Sequence, residues 1–160
     1  MSDSEIFQRL KADHDKHRAM LADLEGTQAG SAERETLFEA LRVEISAHAA
    51  AEEESLYATM LGKPDLRDDA KHSVSEHKEI DDLFADLFKA DSASLEWDKA
   101  FGELKHRYLH HIDEEEEEMF PAAADGLSGQ TQDRLAEVFI DRKPKEKERA
   151  ANEEPGDERD

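Results

Sequence analysis

Two histidine–glutamate pairs share one spacing along the chain. His48 precedes Glu52 by four residues, and His111 precedes Glu115 by the same distance. Residues four apart on an α-helix project in nearly the same direction, one turn apart. An imidazole and a carboxylate presented side by side in this way are ligands for iron or manganese, and zinc also fits the set. Each pair therefore predicts part of a metal site.

The chain also repeats itself at an offset of 63 residues, and this repeat extends the ligand set. Three residues of the first half fall on residues of the same type in the second half: His14 on His77, His48 on His111 and Glu52 on Glu115. Apolar residues follow the same offset, for example Leu21 on Phe84. These six histidines and glutamates are the predicted metal ligands, and no further catalytic residue is predicted.

The repeat separates the predicted ligands from neighbouring histidines. His17 falls on Ile80, so we interpret it as lining of the site, with an additional ligand or a proton donor as the alternative. His72, His106 and His110 have no histidine counterpart and are interpreted as surface residues.

The acids beside the paired residues are interpreted mainly as a solvated helix face. They are Glu53, Glu54, Glu114, Glu116, Glu117 and Glu118. Asp13 and Glu76 each precede a paired histidine and also match under the repeat. For these two residues the pattern leaves open a hydrogen bond to a ligand or an exposed helix position.

Helical periodicity supplies the elements that position these residues. Apolar residues and histidines recur at steps of three and four over about 6–24, 31–60, 65–89 and 94–119. A short fifth helix is predicted on Leu135, Val138 and Phe139. Four long helices with short connections predict an all-α, antiparallel up-down four-helix bundle. From Arg142 onward 13 of 19 residues are charged and none is large and apolar, so the predicted domain is 1–141 and 142–160 is expected to be a disordered tail.

In such a bundle the six side chains converge at the centre as two equivalent sets. Each half brings two imidazoles and one carboxylate that can bridge, which predicts a dinuclear site with metals about 3.5–4 Å apart. Two buried glutamates without a counter-ion would cost several kcal/mol of desolvation. Metal binding should therefore be coupled to folding.

Composition excludes several classes of function. A net charge of -21 argues against binding nucleic acid or an anionic membrane surface. The absence of cysteine excludes thiolate metal sites and cysteine nucleophiles. The first residues lack a signal-peptide pattern, and no run approaches the roughly 18 apolar residues of a membrane span, so a cytoplasmic location is expected.

The sequence resembles the hemerythrin-like (HHE cation-binding) domain family over about residues 5–140. The segments HAAAEEESLY (48–57) and HIDEEEEEMFP (111–121) are similar to the family's HxxxE motifs, and ADH (12–14) and SEH (75–77) to the surroundings of its other histidines. The resemblance implies two iron ions, one held by His14 with His48 and one by His77 with His111. Glu52 and Glu115 would bridge the irons, together with an oxo or hydroxo group.

The sequence departs from the oxygen-carrying members of this family at one position. Those proteins have a further histidine four residues before the third-helix ligand, where this chain has Ser73. His72 lies about 140° away around the helix and is badly placed to substitute. The oxygen carriers also place their last carboxylate where this chain has Glu116, whereas the internal repeat selects Glu115.

Without a histidine at the position of Ser73, the expected site has fewer protein ligands and more open coordination positions. That favours reaction with O2, hydrogen peroxide or nitric oxide over reversible oxygen carriage. A di-iron protein that binds, senses or reduces one of these molecules is the leading hypothesis. The alternatives are a metal storage protein without turnover, or a metal-free acidic bundle that recruits a basic partner. The sequence does not decide between enzyme and sensor, and it does not indicate an oligomeric state.

Overall fold

The computed structural model describes residues 4–155, and this part of the chain forms helices without any strand. Five helices follow one another: α1 (Glu5–Glu25), α2 (Ala32–Glu52, continued by a π-helical turn over Glu53–Tyr57 and a last turn Ala58–Leu61), α3 (Arg67–Lys89), α4 (Leu95–Glu114, continued by a π-helical turn over Glu115–Met119 and by Phe120–Gly126) and α5 (Gly129–Ala151). The predicted all-α helical bundle is confirmed. Within 4–155 no helix combines the length and the apolar character needed to cross a membrane.

Serine side chains begin three of the five helices. Ser31, Ser94 and Ser128 each accept a hydrogen bond from a backbone N–H three residues later, at 3.1 Å. A capping serine satisfies one of the N–H groups that the first helical turn leaves without a partner. These local signals set where α2, α4 and α5 start, and so set the register of the residues that the helices carry inward.

The apolar core consists of two clusters with a polar layer between them. One cluster contains Phe7, Leu10, Leu56, Tyr57, Met60, Phe120, Leu135 and Phe139, among others. The other contains Leu21, Leu41, Ile45, Ile80, Phe84, Trp97, Phe101, Leu104 and Tyr108, among others. On each of the first four helices the predicted metal ligands lie between the residues of the two clusters. The apolar clusters thus bracket the polar layer along the bundle.

The fifth helix is longer than the sequence predicts. It continues through Pro144 to Ala151, so the expectation of a disordered tail from residue 142 is wrong for the part up to residue 151. The extra turns are held by polar contacts. Lys143 Nζ lies 2.9 Å from the buried Glu44 Oε2, and Arg42 donates to the backbone oxygen of Ala150 at 3.2 Å. Residues 156–160 of the predicted tail lie outside the described residues.

Candidate metal centre

All six predicted ligands are buried, with no side chain more than 7% exposed. The four helices α1 to α4 bring them together: His14 from α1, His48 and Glu52 from α2, His77 from α3, and His111 and Glu115 from α4 and the π turn that continues it. Buried polar groups in this number require partners, because an unpaired one costs free energy comparable to a lost hydrogen bond or more. The arrangement of their atoms shows what those partners could be.

The six residues form two overlapping groups of potential metal ligands. In one group, ligand atoms of Glu52, His77, His111 and Glu115 all lie within 4.8 Å of one another. In the other, ligand atoms of His14, His48 and Glu52 meet the same limit. Glu52 belongs to both groups. Two neighbouring cations that share a carboxylate would fit this arrangement.

Each glutamate has one oxygen placed between a histidine of the first half and one of the second. Glu115 Oε1 lies 2.8 Å from His111 Nε2 and 3.8 Å from His14 Nε2. Glu52 Oε1 lies 3.3 Å from His77 Nε2 and 3.8 Å from His48 Nε2. A carboxylate between two imidazoles that belong to different pairs is in the position that a bridging ligand requires.

Several atoms that would bind metal are buried and have no hydrogen-bond partner among the described residues: Nε2 of His14 and His48 and both carboxylate oxygens of Glu52. His111 Nε2 and Glu115 Oε1 face each other at 2.8 Å. A cation coordinated by these atoms would remove the cost of leaving them unpaired. The donor set of four imidazoles and two carboxylates suits iron, manganese or zinc. The residues therefore fit a pair of such ions.

The opposite nitrogen of each imidazole donates to a carboxylate. His14 Nδ1 lies 2.7 Å from Glu116, and the other three Nδ1–carboxylate distances are 2.8 Å: His48 to Asp13, His77 to Glu53 and His111 to Glu76. Each carboxylate accepts a hydrogen bond from Nδ1–H, which turns Nε2 of the ring toward the centre of the site. This is the usual way in which proteins orient metal-binding histidines.

The four carboxylates that accept these hydrogen bonds are also related by the internal repeat. Asp13 and Glu76 are related by the offset of 63 residues, and so are Glu53 and Glu116. The interpretation of Glu53 and Glu116 as part of a solvated face is wrong, since each accepts a hydrogen bond from a histidine of the site. The repeat does pair Glu53 with Glu116, but it also pairs the neighbouring acids Glu54 and Glu117, so it does not single out the pair that binds the histidines.

Burial and mutual repulsion act on the two central glutamates. Burial, followed by the nearby charge of Glu115, raises the pKa of Glu52 well above its usual range. Burial also works to raise the pKa of Glu115, but the adjacent His111 outweighs it and holds the pKa well below that range. For His111 itself, the carboxylates of Glu115 and Glu76 overcome the opposing effect of burial and raise its pKa to about 10. The glutamates thus differ in protonation while no cation separates them.

Both central glutamates adjoin a π-helical turn. The turns span Glu53–Tyr57 and Glu115–Met119. Such turns inside α-helices are frequent at functional sites, because the extra residue redirects neighbouring side chains. The buried Tyr57 hydroxyl donates to Glu115 Oε2 at 2.5 Å and so holds the second oxygen of this carboxylate. The sequence gives no sign of this hydrogen bond.

His17 is buried but stands outside the two groups of ligand atoms. Its Nδ1 lies 2.6 Å from the Tyr108 hydroxyl, and its Nε2 lies 3.7 Å from Glu44. Its ring centroid is 5.1 Å from that of His48. The position agrees with the interpretation of His17 as lining of the site. Ser73 is buried and donates to Met119 Sδ at 3.6 Å.

Comparison with known proteins gives the family. The family model described as Hemerythrin HHE cation binding domain matches residues 5–123. The chain belongs to the hemerythrin HHE cation binding domain family. Membership implies metal cation binding, and the buried histidines and glutamates could hold the metal. The matched residues end before α5 begins.

A solved structure shares the HHE fold over almost the whole chain. It is the crystal structure of a hemerythrin HHE cation binding domain-containing protein from Mycobacterium kansasii. The TM-score is 0.78 at 21% sequence identity, and the alignment covers 93% of this chain and 90% of the other. No curated protein sequence matches the chain.

Proposed function

We propose that this HHE domain holds two iron ions and reacts with O2, hydrogen peroxide or nitric oxide at the iron pair. His14 with His48 would hold one ion and His77 with His111 the other, while Glu52 and Glu115 bridge them. The observation that carries the proposal is the convergence of buried histidine nitrogens and carboxylate oxygens at one place, several of them without a hydrogen-bond partner among the described residues. Manganese or zinc would satisfy the same ligands, but zinc has no redox chemistry, and iron is the metal that the resemblance to the family implies.

The protein ligands leave room for a small molecule. Each ion would receive two imidazole nitrogens and one oxygen from each bridging carboxylate, which is fewer than the six ligands that iron commonly takes. Ser73 supplies no further imidazole. When bound, the iron pair supplies the electrons that reduce a small oxidant, and the protein supplies the orientation of the ligands and an enclosed site.

A narrow apolar cleft supports access by a small uncharged molecule. The cleft has a volume of about 20 Å³, is lined by Ile45, Ile80 and Phe84, and reaches His48 and His77 between α2 and α3. That volume is about what one buried water molecule needs. O2, nitric oxide and hydrogen peroxide are small enough for such a passage, whereas organic substrates are not. The apolar walls also restrict bulk water at the site.

The tyrosines near the centre have distinct roles in this proposal. Tyr57 holds Glu115 through its hydroxyl group. Tyr108 and His17 form a buried hydrogen-bonded pair beside His48 and close this side of the site.

The test is to load the metal-free protein with Fe(II) without oxygen and to mix it separately with O2, hydrogen peroxide and nitric oxide. We expect the visible absorption of the iron-loaded protein to change after it is mixed with at least one of the three molecules. The double variant Glu52→Ala/Glu115→Ala should show no such change. A protein that binds two irons but reacts with none of the three molecules would instead be a storage protein.

A further inference from the structure

A second pair of His-xxx-Glu motifs lies on the surface beside the buried centre. His72 precedes Glu76 on α3, and His110 precedes Glu114 on α4, each by four residues. His72 Nε2 lies 3.3 Å from Glu114 Oε1 and 3.4 Å from Glu76 Oε1. His110 Nε2 lies 3.3 Å from the other oxygen of Glu114. Ligand atoms of His72, Glu76 and Glu114 all fall within 4.8 Å of one another, and His72 is 56% exposed.

This surface cluster is connected to the buried centre. Glu76 Oε1, which faces His72, also accepts the hydrogen bond from His111 Nδ1 at 2.8 Å. A narrow cleft of about 20 Å³ begins at the carboxylates of Asp69, Glu76, Glu114 and Glu118 and reaches His111 and Glu115. His111 and Glu115, two of the predicted ligands of the buried centre, line its inner end. Among the described residues, no lysine or arginine lines this cleft.

The internal repeat does not account for the surface cluster. The residues of the first half that correspond to His72, His110 and Glu114 are Arg9, Ala47 and Ala51. Asp13, which corresponds to Glu76, is instead bound by Lys143 of α5 at 2.8 Å. Helix α5 packs on α1 and α2 and so covers the first half, whereas the equivalent face of α3 and α4 presents histidines and carboxylates to solvent.

We propose that His72, Glu76 and Glu114 form an exposed binding site for a divalent transition metal ion, which occupies it before passing along the cleft to His77, His111 and Glu115. One imidazole and two carboxylates suit Fe2+, Mn2+ or Zn2+. The acidic lining attracts the cation and offers successive oxygen ligands on the way inward. The inference rests on the proposed buried metal centre and adds to it a third site and a route of entry.

The experiment compares the double variant His72→Ala/Glu114→Gln with the matched control His106→Ala/Glu117→Gln. The control makes the same chemical changes at two exposed residues of α4 and its π turn. Metal-free protein is mixed with Fe2+ in the absence of oxygen. The bound metal is counted at equilibrium, and the rate of uptake into the tight sites is followed. The single variant Glu114→Gln keeps the side-chain shape and repeats the test if the double variant unfolds.

We expect the unaltered protein and the control to bind two ions tightly and a third weakly. The double variant should lose the third ion and still fill the two tight sites. It should fill them about tenfold more slowly, because electrostatic focusing raises the rate of ion capture by about this factor or more. Tight binding of two ions with no third ion, or uptake by the double variant at the unaltered rate, would overturn the entry site alone. Absence of the two tight ions from the unaltered protein would overturn the buried centre and this inference with it.

Discussion

The structure shows a role for the carboxylates that accept hydrogen bonds from the histidines of the site. Glu116 accepts a hydrogen bond from His14 Nδ1–H, whereas the next residue, Glu117, is exposed. We expect Glu116→Gln to weaken metal binding by roughly 10- to 100-fold, because the amide no longer fixes the orientation and basicity of the imidazole. Calorimetric titration with the metal would measure this change.

Glu117→Gln is the matched control for that variant, since it removes the same charge one residue further on. Its metal affinity should stay within about twofold of the unaltered protein, in keeping with a solvent-screened charge. An equal loss in both variants would show that overall charge, rather than the hydrogen bond to His14, controls the affinity.

Metal binding should release protons and should strengthen as the pH rises. Without metal, the pKa of His111 is raised to about 10 and the pKa of Glu52 is raised as well, so both hold protons that a cation must displace. Each displaced proton adds about one log unit of affinity per pH unit below the relevant pKa. His48, whose pKa is lowered to about 3 chiefly by burial, is already neutral and contributes no proton.

Calorimetry between about pH 6 and pH 8, in two buffers that differ in heat of ionisation, would count these protons. We expect at least one proton per chain, in line with the raised pKa of His111. A metal affinity that does not change over this range would contradict the protonation pattern.

At the residue scale, sequence and structure agree on which side chains meet. The repeat alone pairs His14 with His77 and Glu52 with Glu115, and the structure buries all of them together. The repeat could not single out Glu116, since it lies in a run of acids and hydrogen bonding depends on side-chain position rather than residue type. The hydrogen bond from Tyr57 to Glu115 has no counterpart in the second half, where Phe120 stands.

At the scale of elements, α5 ties the first half of the bundle together through Lys143. This side chain contacts Asp13 at 2.8 Å and the buried Glu44 at 2.9 Å. We expect Lys143→Met to destabilise the metal-free protein by about 2 kcal/mol, because it removes the charged contacts to Asp13 and to the buried Glu44. Lys16 still donates to Glu44 at 2.8 Å, so Asp13 is the carboxylate that loses its charged partner. Urea denaturation measures this free energy of unfolding.

Lys145→Met serves as the control on the same helix. Lys145 is 61% exposed and pairs with Asp141 one turn away, so its loss should change stability by no more than about 0.5 kcal/mol. If both variants had the same stability as the unaltered protein, Lys143 would have no role in holding α5.

The long helices could be predicted from periodicity, but the second half of α5 could not. Its buried positions include Glu146 and Ala150 rather than large apolar residues, so it has no apolar stripe to recognise. It packs on a polar part of α2, where Arg42 and Glu44 are buried. Complementary charges on two helices become visible only when the helices are placed side by side. The π turns likewise carry no distinctive residue pattern.

At the scale of the whole molecule, metal should contribute to stability. The chain has a net charge of -21, and two of its glutamates, Glu52 and Glu115, are buried at the centre of the bundle. Removal of metal by a chelator should therefore lower the melting temperature. Each site that is occupied at a hundredfold excess over its Kd adds about 2.7 kcal/mol to the free energy of unfolding.

Differential scanning calorimetry with and without added metal would show the shift. The variant Glu52→Ala/Glu115→Ala should melt at the same temperature in both conditions, since it lacks the bridging carboxylates. If neither metal nor chelator changed the melting temperature of the unaltered protein, the result would contradict coupling between metal binding and folding.

The most direct test of the dinuclear centre is the number of metal ions per chain, measured by native mass spectrometry on protein from iron-supplied cells. We expect two irons in the unaltered protein and the loss of both in Glu52→Ala and in Glu115→Ala, because each glutamate lies between the two histidine pairs. A fully folded chain without metal, or variants that each retain two irons, would contradict the account.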